Sequence, residues 1–455
     1  MGAWRASPQD ERWGWPSPCV SPVASPSISG AVEEALSGAS LPWPSLLHAG
    51  VAVLSSDDIT EKMVTTHAAF RAYLRGDLPV GVEASGNAGV EASRGAGELP
   101  VPPLRPRFPA GLSLVEAREM PSPKRLPLVP FSAFTMHSMA HIELSAIHLA
   151  WDTLVRFAPL RPPEPFFLDF ARAADEEARH LGWAAERLRE LGHPYGSLPA
   201  HLALERGRND SALSLAARLA VGPCTQEARG LDAGPRLASR LRGHGDRVSA
   251  AIVQRIGEEE LAHVAIGVFW LRACCEGSER GGAGAGKGER GGGGGGRAGE
   301  GERRERAERG EEEGSAPNAS NEVGAASAPR ERASAPGAAT RRAFRGAAAA
   351  IVPAILSPPF EDAARRLAGM PREWYADAAK GKRTQEAQGE GGGEEGAGGE
   401  SELRDGGSPP PAPLWRTLGS LDASEEERAA LARRMLDFLD AEEDAQRGGA
   451  RETEG

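Results

Sequence analysis

The chain has 455 residues and a formal net charge of −11, and its 57 Gly and 36 Pro are concentrated in a few stretches. This composition predicts one substantial domain with disordered attachments, and the negative charge argues against general binding to nucleic acid or to anionic membranes. No stretch approaches the roughly 18 consecutive apolar residues of a membrane span. The four cysteines show no CxxC spacing, which suits a reducing compartment. We therefore expect an intracellular protein, cytoplasmic by default, with organelle targeting left open.

The amino-acid composition of the N-terminal part of the chain changes twice. Residues 1–45 are rich in Ser, Pro and Trp and predict a disordered N-terminal region. Residues 46–130 predict a helix that the stretch Ser56-Asp57-Asp58 can cap, followed from residue 99 by a Pro-rich segment. Such a segment cannot form an α-helix, and we expect it to run extended over the core.

Residues 131–275 form the predicted core. Apolar residues recur there at helical spacing in four stretches, near 132–157, 165–191, 211–232 and 246–275. Short Pro- and Gly-containing breaks favour antiparallel neighbours, whereas the longer gap between the second and third stretches could cross the length of a bundle. The pattern predicts an all-α fold with a four-helix bundle and additional flanking helices.

The C-terminal part alternates between low-complexity stretches and stretches that contain apolar residues. Residues 276–340 are rich in Gly, Arg and Glu and predict a disordered insertion. Residues 341–379 are expected to return to the core domain, and residues 380–411 to form a disordered linker. Residues 412–455 predict an amphipathic helix with an acidic first turn, followed by a tail.

Each core helix carries one Glu within its apolar stripe, and the second and fourth helices add a His three positions later. The resulting set is Glu143, Glu177, His180, Glu227, Glu260 and His263. Glu143 and Glu177 are 34 residues apart, and Glu227 and Glu260 are 33 apart. Each separation is long enough for half of one helix, a turn and half of the next helix. In an antiparallel pair, the two carboxylates would then lie at the same height along the helix axes. Because an unpaired charge is costly to bury, such residues are expected to be paired or bound to metal.

Four carboxylates and two imidazoles around one point are the ligand set of a two-metal site in a four-helix bundle. The carboxylates would neutralise and bridge two cations, with iron as the first expectation and manganese as the second. Open coordination positions would admit oxygen or peroxide. We therefore predict an oxidoreductase that uses oxygen or peroxide on an unknown substrate, acting as a monomer or dimer. The alternative is a non-catalytic interaction protein stabilised by metal.

Four further acids near these motifs receive a different interpretation because they point elsewhere on their helices. Glu176, Glu186, Glu258 and Glu259 are interpreted as solvated or Arg-paired acids, and Glu258 and Glu259 in particular as ordinary surface acids.

A second polar stripe runs along the first core helix through His137, His141 and His148, and Asp152 continues it. Relative to Glu143, His141 is turned by about 160°, so it is not expected to share the same metal. The stripe is interpreted as hydrogen bonding to a neighbouring helix or to the Pro-rich segment. A second metal site or a proton relay is the alternative.

Other residues lie close to Glu227 in the third helix. Cys224, one turn earlier, could line the site or could be a small apolar filler. Pro223 should kink the helix. Arg229 and Asp232 are candidate partners of the metal ligands.

Four stretches, Met139–Ile147, Asp175–His180, Glu227–Asp232 and Glu259–Gly267, resemble a known family. It is the ferritin-like domain-of-unknown-function family numbered four hundred and fifty-five, which is grouped with the tRNA-modifying di-iron hydroxylase MiaE. The resemblance implies a ferritin-like bundle with a di-metal site, without a settled activity, and it alone makes tRNA a candidate partner. Residues 136–275 contain 16 Arg, no Lys and 17 Asp plus Glu, which gives no clear basic footprint for RNA.

Overall fold

The structure, a computed structural model, describes residues 26–38, 40–81, 99–282, 362–367, 370, 372 and 419–452. Within these ranges the regular elements are nearly all helices, which confirms the all-α prediction. No helix among the described residues is long and apolar enough to cross a membrane. The predicted linker 380–411 and most of the predicted insertion 276–340 lie outside the described residues.

The helices are labelled in chain order. They are α1 (Pro26–Ser37), α2 (Leu46–Ser55), α3 (Ile59–Leu74), α4 (Phe131–Phe157), α5 (Glu164–Glu190), α6 (Ala203–Asp210), α7 (Leu215–Val221), α8 (Ala228–Gly243), α9 (Arg247–Gly282), α10 (Asp362–Leu367) and α11 (Glu425–Glu452). A π-helical turn, the π segment, spans Gly222–Glu227 between α7 and α8. Two short strands, β1 (Leu114–Val115) and β2 (Ala200–His201), pair in parallel.

The N-terminal helices agree only partly with the prediction from the sequence. The Asp58 side chain accepts hydrogen bonds from the backbone N–H groups of Thr60 and Glu61, which confirms the predicted cap of α3. In contrast, α1 lies in a stretch predicted to be disordered. Its Ile28 and Val32, one turn apart, are buried where α1 packs against α3. The apolar face of α1 is stabilised by that contact, which the Ser- and Pro-rich composition hides.

The Pro-rich segment is mostly extended, as predicted, but it is interrupted by 3-10 turns at Ala117–Glu119 and Pro123–Arg125. Arg107 donates a backbone hydrogen bond to Leu54 O over 2.9 Å. Further along, β1 pairs with β2 from the connection between α5 and α6. These contacts fasten the segment to α2 and to the α5–α6 connection.

The core is built on α4 and α5, which are joined by a 3-10 turn at Ala158–Leu160 and pack along each other. Helix α9 packs along α8 and also contacts α5. Trp151 of α4 is fully buried and donates from Nε1 to Thr66 Oγ1 of α3 over 3.0 Å. Gly50 permits the approach of α2, since a Cβ there would lie 2.7 Å from the Trp151 ring.

The third predicted helix, 211–232, differs from the structure at both ends. It begins at Leu215, changes to the π segment, and continues as α8 to Gly243. Gly230, Gly234 and Pro235 do not end it, because Ala238 and Leu241 are buried beyond them and packing outweighs weak helix propensity. Helix α9 likewise runs to Gly282, past the predicted boundary at 275.

The C-terminal helix α11 confirms the predicted amphipathic helix. The Ser424 hydroxyl accepts from the Glu427 N–H at its start. Leu431 and Met435 are buried where α11 packs on α9. Phe438 meets Phe269 edge to face at 5.2 Å. The apolar face of α11 therefore completes the outer side of α9.

A buried ion network joins α4, α6 and α7. Asp152 lies 2.7 Å from Arg218, 3.0 Å from Arg208 and 2.7 Å from Arg156. Asp152 and Arg218 are fully buried, and Arg208 is nearly so. Burial acts to raise the pKa of Asp152, but Arg218 and the other arginines outweigh it and lower the pKa to about 2. Asp152 is therefore a structural anchor and not part of a histidine stripe that binds metal.

Lys62 of α3 is a buried cation outside that network. Its side chain is fully buried, and Nζ donates to Val53 O of α2. Burial lowers the pKa of Lys62 from 10.5 to about 7, against the opposing effect of Glu205. In the folded protein the amine therefore loses its proton at a pH where the unfolded chain keeps it.

This pKa shift predicts that the free energy of unfolding rises with pH between about 7 and 10.5, because only the unfolded chain binds the proton there. The maximum slope from one such group is about 1.4 kcal/mol per pH unit, and below about pH 7 the slope vanishes. Lys62→Met should abolish this rise. Urea unfolding at pH 7.5 and 9.0 measures it, with Lys124→Met as an exposed control that keeps the wild-type slope. Parallel pH profiles for Lys62→Met and wild type would contradict the prediction.

Candidate metal centre

Three helices bring acidic and imidazole side chains together in the interior of the fold. Glu143 comes from α4, Glu177 and His180 from α5, and Glu260 from α9. All four are buried, and one potential ligand atom of each lies within 4.8 Å of those of the others. Since each of α5 and α9 presents its Glu and His three residues apart on one face, the local helix geometry sets the arrangement. This group could hold a metal ion.

The two histidines present the same ring nitrogen to these carboxylates. His263 Nδ1 lies 2.9 Å from Glu177 Oε1 and 3.0 Å from Glu260 Oε2. His180 Nδ1 lies 3.3 Å from Glu177, 3.5 Å from Glu260 and 3.6 Å from Glu143. The ring centroids are 6.0 Å apart. The Glu–His pairs of α5 and α9 therefore face each other across one cluster.

Glu227 stands at the edge of the cluster. It ends the π segment, is partly buried and lines a cavity beside Glu177 and His263. Burial, followed by the charges of Glu260 and Glu177, raises the pKa of Glu227 well above its usual value. The structure thus brings five of the six predicted residues into direct contact and places Glu227 within electrostatic reach of them.

The π segment explains how the third helix presents Glu227. Pro223 lacks an N–H, which breaks the α-helical bonding, and Thr225 Oγ1 donates to Ala220 O over 2.6 Å. The predicted distortion at Pro223 is confirmed and takes the form of a π turn, a feature common at functional sites. Gly267 of α9 allows this turn to come close, because a Cβ there would lie 2.5 Å from the Pro223 ring.

The interpretation of Glu259 as an ordinary surface acid is wrong. Glu259 is buried, and its Oε2 accepts a hydrogen bond from His180 Nε2 across the helix interface at 2.9 Å. Glu176 of α5 makes the reciprocal contact, at 3.1 Å, with His263 Nε2. Each helix therefore supplies one carboxylate to the centre and another to the far side of the opposite histidine.

Arginines hold these outer carboxylates in place. Arg179 donates to Glu259 over 2.7 Å and lies 3.7 Å from Glu176. Arg255 lies 2.9 Å from Glu259. Pairing with core arginines was one part of the prediction for Glu176 and Glu259, and it is confirmed. Glu186 and Glu258 have side chains 43% and 51% exposed, respectively, which agrees with their interpretation as solvated acids.

The repeated Glu–Glu doublet was the signal available in the sequence. Both Glu176–Glu177 and Glu259–Glu260 precede their histidine at the same spacing. On one helix the first Glu of each doublet is turned by about 100° from the second, so it points toward a neighbour. The sequence does not identify this neighbour. The structure shows that the first Glu of each doublet contacts the histidine of the opposite helix.

Charge is concentrated in the cluster. Burial and Glu177 raise the pKa of Glu143 well above its usual value. For Glu177, burial acts in the same direction, but His263 and His180 outweigh it and lower the pKa. The pKa of His263 is raised by Glu260 and Glu177 against the effect of burial. Without a cation, these carboxylates compete for protons and for the two imidazoles, so cations would relieve a buried excess of negative charge.

A cavity adjoins the cluster on the side of Glu177, Glu227 and His263. Its remaining walls come from α4, α5, the π segment and α9 and are almost entirely apolar. They are Ala146, Leu149, Ala150, Thr153, Phe170, Ala173, Pro223 and Ile266. A small ligand in this cavity would meet the cluster at one end and hydrocarbon elsewhere.

The histidine stripe on α4 faces away from the cluster, as predicted. His137 Nε2 accepts from the N–H groups of Gly196 and Leu198. His141 hydrogen-bonds the Tyr195 hydroxyl and the backbone carbonyl of His201. These bonds confirm that both histidines are hydrogen-bonded, but their partners lie in the connection between α5 and α6, and not in a neighbouring helix or the Pro-rich segment as predicted.

His148 differs from the other two histidines. It is fully buried, and its Nδ1 lies 3.6 Å from Glu205 Oε1, beyond hydrogen-bonding distance. Phe108 of the Pro-rich segment packs edge-on against the ring at 4.9 Å. Burial lowers the pKa of His148 to about 4, so the ring is neutral at physiological pH. Among the described residues, the stripe forms no second group that could hold a metal.

Three further residues of the third helix lie near Glu227 in sequence, namely Cys224, Arg229 and Asp232. Cys224 is fully buried but does not line the cavity, and burial raises the pKa of its thiol, so it is a small apolar filler. Arg229 bonds Asp232 over 3.1 Å, as a neighbouring pair. Asp232 is also paired by the buried Arg365 of α10, a contact that the sequence did not indicate.

The fold and the cluster define an all-α protein with a buried carboxylate–histidine group that could hold metal. The chain belongs to the family described as "Protein of unknown function (DUF455)", whose model matches residues 55–283. That match covers the helices α3 to α9 and the whole candidate centre.

An uncharacterized protein of Haemophilus influenzae is similar to this chain. The two are 35% identical over 162 residues, which cover 33% of this chain and 56% of that protein. The chain thus spans little more than half the length of this relative. No solved structure matches the chain.

Proposed function

We propose that this chain is a di-metal carboxylate protein with a ferritin-like four-helix bundle, and that it is an oxidoreductase using dioxygen or peroxide. The carrying observation is the convergence of Glu143, Glu177, His180, Glu260 and His263 with their ligand-capable atoms turned inward. Glu227 completes the proposed set from the π segment. Iron is the proposed metal, with manganese as the second choice, because the donors are carboxylate oxygens and imidazole nitrogens.

The outer hydrogen bonds support this assignment. A histidine that binds a metal usually donates its other N–H to a carboxylate, which sets the tautomer and the ring orientation. His180 Nε2 and His263 Nε2 meet Glu259 and Glu176 in this way. Each Nδ1 lone pair is then directed at the centre. A purely structural set of salt bridges would not need both imidazoles oriented alike.

When bound, a pair of redox-active metal ions would supply electrons and open positions for dioxygen or peroxide. The chain would contribute the rest. Glu143, Glu177 and Glu260 would neutralise the cations, while the arginine-held Glu176 and Glu259 would keep the histidines oriented. The apolar walls at Ala150 and Ile266 would exclude bulk water from the reacting side.

Metal analysis tests the proposal. The full chain, produced in medium with added iron or manganese and then purified, should carry about two metal ions per chain, whereas Glu260→Ala should lose most of them. Glu258→Ala, two residues away on the same helix and exposed, is the matched control and should retain the wild-type content. Wild-type protein without stoichiometric iron or manganese would refute the proposal.

Oxygen reactivity distinguishes the proposed enzyme from the alternative of a metal-stabilised interaction protein. Exposing the reduced, metal-loaded chain to dioxygen should change its optical spectrum and consume oxygen. A metal that serves only structure would leave both unchanged. A tRNA base is the organic substrate that the resemblance to MiaE implies. Comparing tRNA modifications with and without this protein tests that narrower proposal.

A further inference from the structure

The cavity beside the candidate centre has an origin in the sequence. Ala146 and Ala150 of α4 and Ala173 of α5 face it, on the helical faces that carry Glu143 and Glu177. Three and four residues separate neighbours on such a face. Small side chains stand here where leucines would fill the bundle, so the space is built into the helix faces next to the metal ligands.

Residues that line the cavity are slightly more exposed than their neighbours on the same helix. Leu149 and Ala150 are each 7% exposed and Ala173 8%, whereas Ile147 and Trp151 on the adjoining faces of α4 are 0% exposed. The space open to the centres of water-sized molecules is about 30 Å³, and a site for one water needs about 10–15 Å³ of occupied volume. The cavity is therefore large enough for a diatomic gas.

The wall offers no free polar partner away from the cluster. Thr153, the polar residue of the wall beyond the cluster, donates from Oγ1 to Leu149 O over 2.7 Å and accepts from Arg218 over 3.0 Å. Water needs two to four polar partners to occupy a buried site stably, and apolar cavities of proteins stay dry and bind xenon. The part of the cavity distant from Glu177 thus favours a small apolar ligand over water.

We propose that this cavity is a binding compartment for dioxygen, which it holds against Glu177, Glu227 and His263. The proposal rests on the proposed function, because it assigns the small molecule that reaches the same centre. The proposal also predicts which molecules reach the centre according to their size. Ala146, Ala150 and Ala173 admit molecules of two or three heavy atoms, and larger organic molecules do not reach the metal by this route.

Xenon binding tests the compartment without any use of activity. Methyl NMR spectra of the metal-free full chain are recorded under increasing xenon pressure. Saturable shifts are expected at Ala150, Leu149 and Ile266. Ala173→Leu fills the space and should abolish these shifts, and the smaller Ala150→Val should weaken them if Ala173→Leu does not fold. Ala185→Leu makes the same change elsewhere on α5 and should bind xenon as wild type does.

A second measurement follows the metal-loaded chain. Oxidation of the reduced protein by dioxygen should be slower in Ala173→Leu than in Ala185→Leu at equal metal content. Absence of xenon shifts at the three wall residues in wild type would overturn the proposal, and so would an unchanged oxidation rate in a folded, metal-loaded Ala173→Leu. A chain that binds xenon but no metal would instead refute the proposed function and leave the gas-binding cavity standing.

Discussion

Replacing Asp152 with Asn is expected to lower the free energy of unfolding by about 3–5 kcal/mol, the cost of breaking a buried ion pair from one side. The substitution keeps the shape of the side chain and removes only its charge. Arg218, which is fully buried, would then lack the anion that lies 2.7 Å away. Arg208 would lose one of its two anions and keep Glu205 at 3.0 Å. Removing the anion from a buried cation is far costlier than losing a surface salt bridge.

Equilibrium urea unfolding of the purified chain measures this loss. Asp210→Asn makes the same chemical change at an exposed residue of α6 and should stay within about 0.5 kcal/mol of wild type. Since the network joins α4 to α6 and α7 outside the candidate centre, metal content should be preserved wherever Asp152→Asn remains folded. A loss below about 1 kcal/mol, the typical effect of any single substitution, would show that the network is not an anchor of the bundle.

The long core helices were predictable because their apolar periodicity is strong and their ends carry Pro or Gly. The expected stretches 132–157 and 165–191 differ from α4 and α5 by one residue at the start or at either end. The third helix was less predictable, since Gly230, Gly234 and Pro235 are poor helix formers. There the deciding term is burial of Ala238 and Leu241, which depends on a partner helix far along the chain.

The candidate centre was predictable at the level of its inward residues. An acid in an apolar stripe is conspicuous, and the Glu-x-x-His spacing repeats in Glu177–His180 and Glu260–His263. What the sequence could not provide was the relative rotation of α5 and α9. That rotation turns Glu259, adjacent to a proposed ligand, into the hydrogen-bond partner of His180. The pairing of Asp232 with Arg365 was hidden for a similar reason, because 133 residues separate them in sequence.

Glu259→Gln is expected to weaken metal binding by about 10–100-fold, the usual effect of removing a partner that orients a ligating histidine. The amide keeps the length of the side chain but loses the negative charge that Arg179 and His180 face at 2.7 and 2.9 Å. The His180 N–H is then held less firmly, and its Nδ1 becomes a poorer donor to the centre. Competition with a chromophoric chelator for ferrous or manganous ion measures the change in apparent affinity.

Substitutions of other glutamates distinguish this effect from a general loss of negative charge near the centre. Glu258→Gln alters the preceding residue, which is exposed, and should bind metal as wild type does. Glu176→Gln should reproduce the Glu259→Gln effect, because Glu176 contacts His263 in the reciprocal way. The Glu176→Gln/Glu259→Gln double variant should be weaker than either single variant. If Glu259→Gln and Glu258→Gln bind metal equally well, the outer carboxylates serve packing and not the orientation of the histidines.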